Sequence, residues 1–451
     1  MSSNFDTIRA GAQSLPGRLL LMMLTGLLLV VPLTMVEGLR HGRGNRLAEV
    51  KSELASQWGE SQRLVGPLVW VPVQDHFSER VETTDDDGVV HVHMRPVLRE
   101  RYFAVLPQDL VITSELSPKP LHRGLYDVLV YNANVRVQAS FERPEIKAPA
   151  LHTYDVQWDK AILVVQVSDL SAVSAVDALQ WGEAELRPES GTLPAVGGTA
   201  VFGRIAAFDE GMTGVDVSLD VRGMSSLYVG PIGEDNKVVL DGEWDSPSFT
   251  GFTLPEERTV GPTEFSATWS VPGVARPVPQ VLDLLVDTNA MSLLRNHTVG
   301  VLLVETASPY VSVQRAITYG ILIIALCLMT FFVTEQSLGS KMHPVQWLVN
   351  GAALVLFYLV LLATSEHLDF VVAYGLASGL TVGLVGVYTL ASTRAWKAGA
   401  AVSTSLSLLY ACMYGMLRSE DHALLMGTGL LVIALAGAMW VTRHVSRPHD
   451  R

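Results

Sequence analysis

The chain has 451 residues, of which 49% are hydrophobic and 17% are charged, and its formal net charge is −13. Most of the negative charge lies between residues 37 and 315, where 23 Lys/Arg and 38 Asp/Glu give a net charge of −15. This acidic balance argues against a nucleic-acid-binding protein.

Six apolar stretches are long enough to cross a membrane, since a hydrocarbon core of about 30 Å takes roughly 20 helical residues. The predicted transmembrane helices are 19–36, 316–334, 345–364, 370–391, 398–417 and 423–442. The first stretch is about twice as long as the core of a signal peptide. Because no small-x-small cleavage pattern follows it at residues 37–40, we expect a retained anchor.

Basic residues in short loops indicate the cytoplasmic side of a membrane protein. Arg418 is the single basic residue in the loops 365–369 and 418–422, which share one side. The opposite side contains Arg9, Arg18, Lys341, Arg394, Lys397, Arg443, Arg447 and Arg451. We therefore expect both termini in the cytoplasm and the large domain outside, although Arg40, Arg43 and Arg46 follow the first span on the outer side.

The expected organisation is an α+β membrane protein in five parts. These are a cytoplasmic N-terminus (1–18), an anchor helix (19–36), a β-rich extracytoplasmic domain (37–315), a bundle of five transmembrane helices (316–442) and a cytoplasmic tail (443–451). Cys327 and Cys412 both fall in predicted spans, so the outer domain has no disulfide of its own. Core packing must hold it together.

Within the outer domain, the hydrophobic period changes from helical to alternating. Residues 46–62 predict an amphipathic helix leaving the membrane, with Leu47, Val50, Leu54 and Trp58 near helical spacing. Strands are then predicted at 68–73, 97–106, 131–141, 161–167, 215–221, 237–240 and 265–271. The spacing is typical of an antiparallel sandwich or two stacked sheets. A boundary near 144–149 would divide the region into two β units.

Several short sequence segments occur in a specific order along the chain. They are PLTMVEGL at 32–39, WGESQRLVGPL at 58–68, PSFTG at 247–251, HPVQ at 343–346, FYL at 357–359 and SEH at 365–367. In this order they resemble the CreD family of bacterial inner-membrane proteins. The resemblance implies a role in cell-envelope integrity, linked to envelope stress and to tolerance of colicins and β-lactams. It implies no catalytic mechanism.

Ionisable residues in membrane segments are costly, and they are therefore candidate functional residues. The candidates at span ends are Glu335, Lys341, His343, Glu366, His367 and Asp369. Interfacial solvation or helix capping is the favoured interpretation, and a proton or ion relay is the alternative.

Gly375, Gly379 and Gly383 recur at four-residue spacing in the predicted span 370–391. Small residues at this spacing let another helix backbone approach closely. Packing inside the bundle is favoured, and a homodimer contact is the alternative.

Asp85–Asp87 with Gly88 predict a tight turn between two strands. If Asp87-Gly88 is a two-residue loop, Glu82 lies opposite His93 and Thr84 lies opposite His91. The two histidines would share a face that could bind zinc with a carboxylate, but an exposed polar hairpin explains the same residues. We expect no metal and no cofactor. Since the standard catalytic signatures are missing, we also expect no enzyme.

Two functions remain. In the first, the protein is a non-enzymatic envelope factor anchored in the lipid bilayer, whose β domain binds an envelope protein, a lipid or a peptidoglycan component. In the second, the C-terminal bundle is a small transporter or channel gated by the outer domain, with Glu335, His343, Glu366 and His367 as its candidate residues. The oligomeric state is left open.

Overall fold

The structure is a computed structural model that describes residues 15–84, 90–193, 198–304, 309–338, 343–419 and 423–442. The chain forms two compact units. The first contains Met1–Ala48 and Ala307–Arg451, and its described residues are mainly helical. The second contains Glu49–Thr306 and is dominated by β-strands.

Eight α-helices occur in the described residues. They are α1 (Leu15–Trp58), α2 (Ala290–Asn296), α3 (Pro309–Thr318), α4 (Gly320–Leu338), α5 (Pro344–Ser365), α6 (Phe370–Thr393), α7 (Trp396–Arg418) and α8 (Ala423–Thr442). By length and apolarity, α1, α5, α6 and α7 are able to cross a membrane. The pair α3 and α4 gives a fifth span if the two helices are counted together. Helix α8 coincides with the last predicted span.

Two details of the predicted helices were wrong. The span expected at 316–334 is not one straight helix, because α3 and α4 meet at a bend of 46° immediately before Gly320. The amphipathic helix expected at 46–62 is the last part of α1 and ends at Trp58. Gly59 ends it with φ +115°, a conformation that favours glycine, and a Cβ there would lie 2.6 Å from the Cβ of Ala172.

Eighteen strands occur in the described part of the chain. They are β1 (Gln62–Thr84), β2 (Val90–Val105), β3 (Asp109–Arg123), β4 (Tyr126–Glu142), β5 (His152–Val156), β6 (Ile162–Val167), β7 (Val173–Trp181), β8 (Ala184–Glu185), β9 (Glu189–Leu193), β10 (Gly198–Arg204), β11 (Met212–Met224), β12 (Ser226–Gly230), β13 (Asp235–Gly242), β14 (Pro247–Gly251), β15 (Glu257–Val260), β16 (Phe265–Pro272), β17 (Val281–Asp283) and β18 (Val299–Leu303). All seven predicted strands are among them.

The strands form two sheets over one hydrophobic core. The first sheet has the order β14-β18-β12-β1-β6-β10-β9, with β2 and β5 paired to β1 and β17 paired to β2. The second has the order β15-β16-β13-β3-β4-β11-β7-β8. Only the pairs β1–β12 and β3–β13 are parallel among the described pairs. The predicted arrangement of two packed sheets is confirmed, since side chains from both belong to one core cluster.

The division into two β units near residues 144–149 is not formed. Strand β1, before that segment, pairs with β6 and β12, which follow it. Strand β4 likewise pairs with β11. Both sheets therefore combine strands from either side of the proline-rich segment, because long-range pairing buries more apolar surface than two smaller sheets would.

Candidate functional site

The β1–β2 hairpin extends beyond the rest of its sheet. Strand β5 pairs with β1 only as far as Phe77. From the pair Ser78–Pro96 to the pair Thr84–Val90, the two strands have no third neighbour among the described strands. We call these residues, 78–84 and 90–96, the ribbon. A two-stranded hairpin of this kind is only marginally stable alone.

One face of the ribbon carries an exposed apolar row. Val90, Val92 and Met94 are 54%, 48% and 63% exposed, and the row continues below the ribbon to Leu98. They share this face because alternate residues of a strand point the same way. Across the hairpin, Val92 and Met94 pair with Glu82 and Arg80.

A buried charge cluster lies at the base of the ribbon. Asp75 is fully buried, and its Oδ2 accepts a hydrogen bond of 2.8 Å from Nε of Arg101. Its Oδ1 lies 2.7 Å from Nδ1 of His152. Nη1 of Arg101 also donates to Oδ2 of Asp283 over 2.6 Å. The cluster joins β1, β2, β5 and β17, so it ties the ribbon to the domain.

Pairing keeps both central groups charged. Burial opposes the ionisation of Asp75, but hydrogen bonds from His152 and Arg101 outweigh it and lower the pKa of the carboxyl group. Burial likewise acts against the charge of Arg101, and the bonds to Asp75 and Asp283 raise its pKa. The His152 ring also stacks on Phe77 with the ring centroids 4.6 Å apart. This arrangement positions the base of the ribbon.

The register of the hairpin excludes the zinc geometry that a two-residue loop at Asp87-Gly88 would have given. His93 pairs with Val81, and His91 pairs with Thr83. The register inferred from a two-residue loop was therefore wrong by one residue, since Glu82 pairs with Val92 and not with His93. Since a one-residue slip reverses every side-chain direction, Glu82 lies on the opposite face from His93. The predicted turn residues 85–88 lie outside the described residues.

Glu335 is neither solvated nor a helix cap. It lies near the end of α4 with 2% of its side chain exposed, and its carboxylate is paired with the guanidinium of Arg18 in α1. A charge buried among apolar helices requires such a partner. The interaction joins two helices through residues that are 317 positions apart in sequence.

The other span-end candidates are in different places. Glu366 has 8% of its side chain exposed, lies 3.5 Å from Nε of Arg43, and accepts a hydrogen bond from the Tyr310 hydroxyl at 3.2 Å. His367 and Asp369 are exposed. They do not join Glu366 in a relay.

His343 caps α5. Its Nδ1 accepts from the Val345 backbone N–H at 3.3 Å, and the Gln346 side chain accepts from the His343 backbone N–H at 2.9 Å. The capping interpretation is therefore confirmed for this residue. Lys341 lies outside the described residues.

The glycine row of α6 faces outward. Gly375, Gly379 and Gly383 are exposed, and a Cβ at each would meet no atom within 4 Å. The favoured interpretation, packing inside the bundle, was wrong for these residues. The close approach is made instead by Gly386 of α6 and Gly399 of α7, where a Cβ on Gly399 would lie 3.3 Å from the Gly386 carbonyl oxygen. The homodimer contact stays a prediction.

The charge cluster of Asp75, Arg101 and Asp283 was missed from the sequence. One signal was present: Asp75 continues the alternation of Val71 and Val73, which are buried, so its side chain points toward the interior. A buried carboxylate requires a partner. Nothing local indicated that residues 26 and 208 positions later would supply the contacts.

These features define a multi-pass membrane protein with a large β domain. The chain matches the family model described as "Inner membrane protein CreD" over residues 14–447. It is 30% identical over 423 residues to the inner membrane protein CreD of Escherichia coli (strain K12), covering 93% of this chain and 90% of that relative. The chain therefore belongs to the CreD family, and its location is the inner membrane.

We expect the substitution Asp75→Asn to destabilise the β domain by about 3 kcal/mol at pH 7, because Arg101 loses a buried partner. The folded pKa of Asp75 is depressed, so its stabilising effect is complete above the unfolded pKa of about 3.9 and is lost as pH falls through the lower folded value. Urea unfolding at pH 7 and below pH 4, followed by tryptophan fluorescence, measures both effects.

The control is Asp216→Asn, which removes a half-buried carboxylate paired at 2.5 Å with the exposed Arg136. This substitution should lower the free energy of unfolding by less than about 1 kcal/mol. A variant lacking the Asp75 carboxylate that unfolds at the same urea concentration as wild type at pH 7 would contradict the anchoring role.

For the helical unit, we expect Arg18→Gln and Glu335→Gln each to lower the melting temperature of the detergent-solubilised protein. The double variant should be more stable than either single variant, because it leaves no unpaired buried charge. Asp369→Asn, at an exposed position, is the control and should melt like wild type. If the two single effects simply add, the ion pair makes no energetic contribution.

Proposed function

We propose that this protein is a non-enzymatic inner-membrane factor that supports cell-envelope integrity, with its β domain in the periplasm as an interaction module. Membership of the CreD family and the apolar helices support the membrane location. The basic residues of the short loops support cytoplasmic termini and a periplasmic β domain. The helices anchor the domain in the bilayer.

The observation that carries the proposal is the ribbon. It presents Val92 and Met94 to solvent on an arm that its own sheet does not cover. Contiguous exposed apolar residues with a polar rim are typical of interaction surfaces. An arm that is marginally stable alone also gains most from a bound partner.

We propose another envelope protein as the partner. The same face carries Arg80 and Glu82, whose side chains form an ion pair of 2.9 Å with both groups more than half exposed. Inserting that pair into hydrocarbon would be costly, which argues against a lipid core. Pro96 removes one backbone N–H from β2, so we assign the contact to the apolar face and not to the strand edge.

The alternative is a transporter or channel formed by the helical unit. One observation favours it: Asn350 in α5 is 1% exposed, and neither its amide nitrogen nor its amide oxygen has a hydrogen-bond partner among the described residues. A buried polar side chain within a membrane segment is a candidate for a transport path. The earlier candidates support this function less, because Glu335 is ion-paired and His343 is a helix cap.

Deleting the helical unit would be an ambiguous test. The truncated chain would leave Arg18 and Arg43 without the partners Glu335 and Glu366. Full-length variants avoid this problem.

We expect the full-length double variant Val92→Lys/Met94→Lys to fail to restore growth of a deletion strain under envelope stress. Two charges on the apolar row should weaken partner binding by about tenfold or more. Because both sites are exposed, protein level and melting temperature should match wild type. The matched control is Val274→Lys, a substitution at a 95% exposed apolar residue outside the ribbon. Full rescue by the double variant would refute the ribbon as the interaction surface.

The alternative is tested by Asn350→Leu in the same full-length background. If the bundle transports a polar solute past Asn350, this variant should abolish rescue while the protein is inserted and abundant. If the bundle only anchors the domain, we expect full rescue and a raised melting temperature, since an unsatisfied buried amide has been removed.

A further inference from the structure

A cavity of about 280 Å³ lies in the β domain at the start of β1. Its wall combines residues from four places: the beginning of β1, the end of β6, the beginning of β10 and the end of the short helix α2. The polar side chains in the wall are Ser61, Arg63, Gln166, Ser168, Thr199 and Arg295. This position is separate from the ribbon, which is formed by the other end of β1.

The cavity is cationic in an acidic domain. Arg63 and Arg295 both line it, and no Asp or Glu is among the described residues of its wall. The nearest acidic residue after β6 is Asp169, whose carboxylate accepts hydrogen bonds from the backbone and hydroxyl of Ser171. That carboxylate is held in its own turn. Two arginine side chains therefore line a recess with no carboxylate in its described wall.

The Arg63 side chain carries a buried hydrogen-bond donor next to the cavity. Its guanidinium lies over the Tyr228 ring, with Cζ 5.4 Å from the ring centroid. Its Nε is buried and has no hydrogen-bond partner among the described residues. A buried donor without an acceptor is unfavourable, so an acceptor supplied by a ligand would stabilise it.

The hydroxyl groups of Thr199 and Ser168 in the cavity wall form hydrogen bonds within the protein. Thr199 donates to the Val167 carbonyl oxygen at 2.6 Å. The Ser168 hydroxyl accepts from the Arg63 backbone N–H at 3.0 Å. Its acceptors, each at 3.2 Å, are the Ser61 carbonyl oxygen and Oε1 of Gln62. These bonds fix the wall, where Nε of Arg63 is a buried donor with no hydrogen-bond partner among the described residues. Guanidinium groups are suited to bidentate recognition of carboxylate and phosphate.

We propose that this cavity binds an oxyanion, the phosphate or carboxylate group of a small envelope component. Its volume is near the lower limit for ligand pockets, which suits a single anionic group with a short attachment. The open backbone at Gly198 contributes to the space, because a Cβ there would lie 3.1 Å from Nη1 of Arg295. This site goes beyond the proposed interaction through the ribbon and does not depend on it.

The test is isothermal titration calorimetry of the purified full-length protein in detergent at low salt. The probes are inorganic phosphate, glycerol 3-phosphate and N-acetylglycine. We expect at least one to bind with a dissociation constant of about 1 mM or lower. Preference for the phosphate probes identifies a phosphate group, with glycerol 3-phosphate distinguishing a lipid-like head group from free phosphate. Preference for N-acetylglycine identifies a carboxylate.

Three variants locate the binding. Arg63→Gln and Arg295→Gln should each weaken it by about tenfold or more, because each removes a charge-assisted donor. Gly198→Val should also abolish it while both charges remain, because the side chain fills the cavity. The control is Arg258→Gln, at an exposed arginine elsewhere in the domain.

Melting curves without ligand show which variants are folded, and the conclusion is drawn from those. Absence of binding by all three probes overturns the proposal. Undiminished binding by a folded Arg63→Gln or Gly198→Val protein also overturns it. Neither result would bear on the growth experiments with the ribbon.

Discussion

The pairing of strand β1 is the constraint on which the β domain depends. Its 23 residues are hydrogen-bonded in turn to β12, β6, β5 and β2. Its first residues line the cationic cavity, its middle crosses the core, Asp75 enters the charge cluster, and its last residues form the ribbon. Because side-chain direction alternates, a slip of one residue would carry Asp75 to the opposite face and separate it from Arg101.

Buried charge follows the same rule in both units. Asp75 is compensated by Arg101 and His152, and Glu335 is compensated by Arg18. Each group has the features of a functional residue when seen in the sequence, since it is ionisable and lies in an apolar segment. Pairing with an opposite charge is enough to explain why these groups are buried, and no catalytic or transport role is required. A single buried charge is far more costly than a matched pair. The better candidates for function are therefore groups that are exposed, or that have no hydrogen-bond partner among the described residues.

Two such features lie at opposite ends of β1 and have different chemistry. The ribbon has an exposed apolar row for the proposed protein partner, whereas Arg63 and Arg295 line the cavity proposed for a small anion. The charge cluster lies between them in sequence and holds the base of the ribbon. A domain arranged in this way is able to combine a protein contact with recognition of an envelope component. Membership of the CreD family is consistent with either use and specifies no chemistry.

The sequence alone determined the helical spans and the alternating strands, because both depend on local periodicity. A bilayer requires about 20 contiguous apolar residues, and Tyr131–Phe141 alternates between core and solvent. Local periodicity does not indicate which distant segments meet. The contacts of Arg101 with Asp75 and Asp283, the pairing of Arg18 with Glu335, the outward direction of Gly379 and the register of His93 all depend on long-range packing, which leaves little trace in the local pattern.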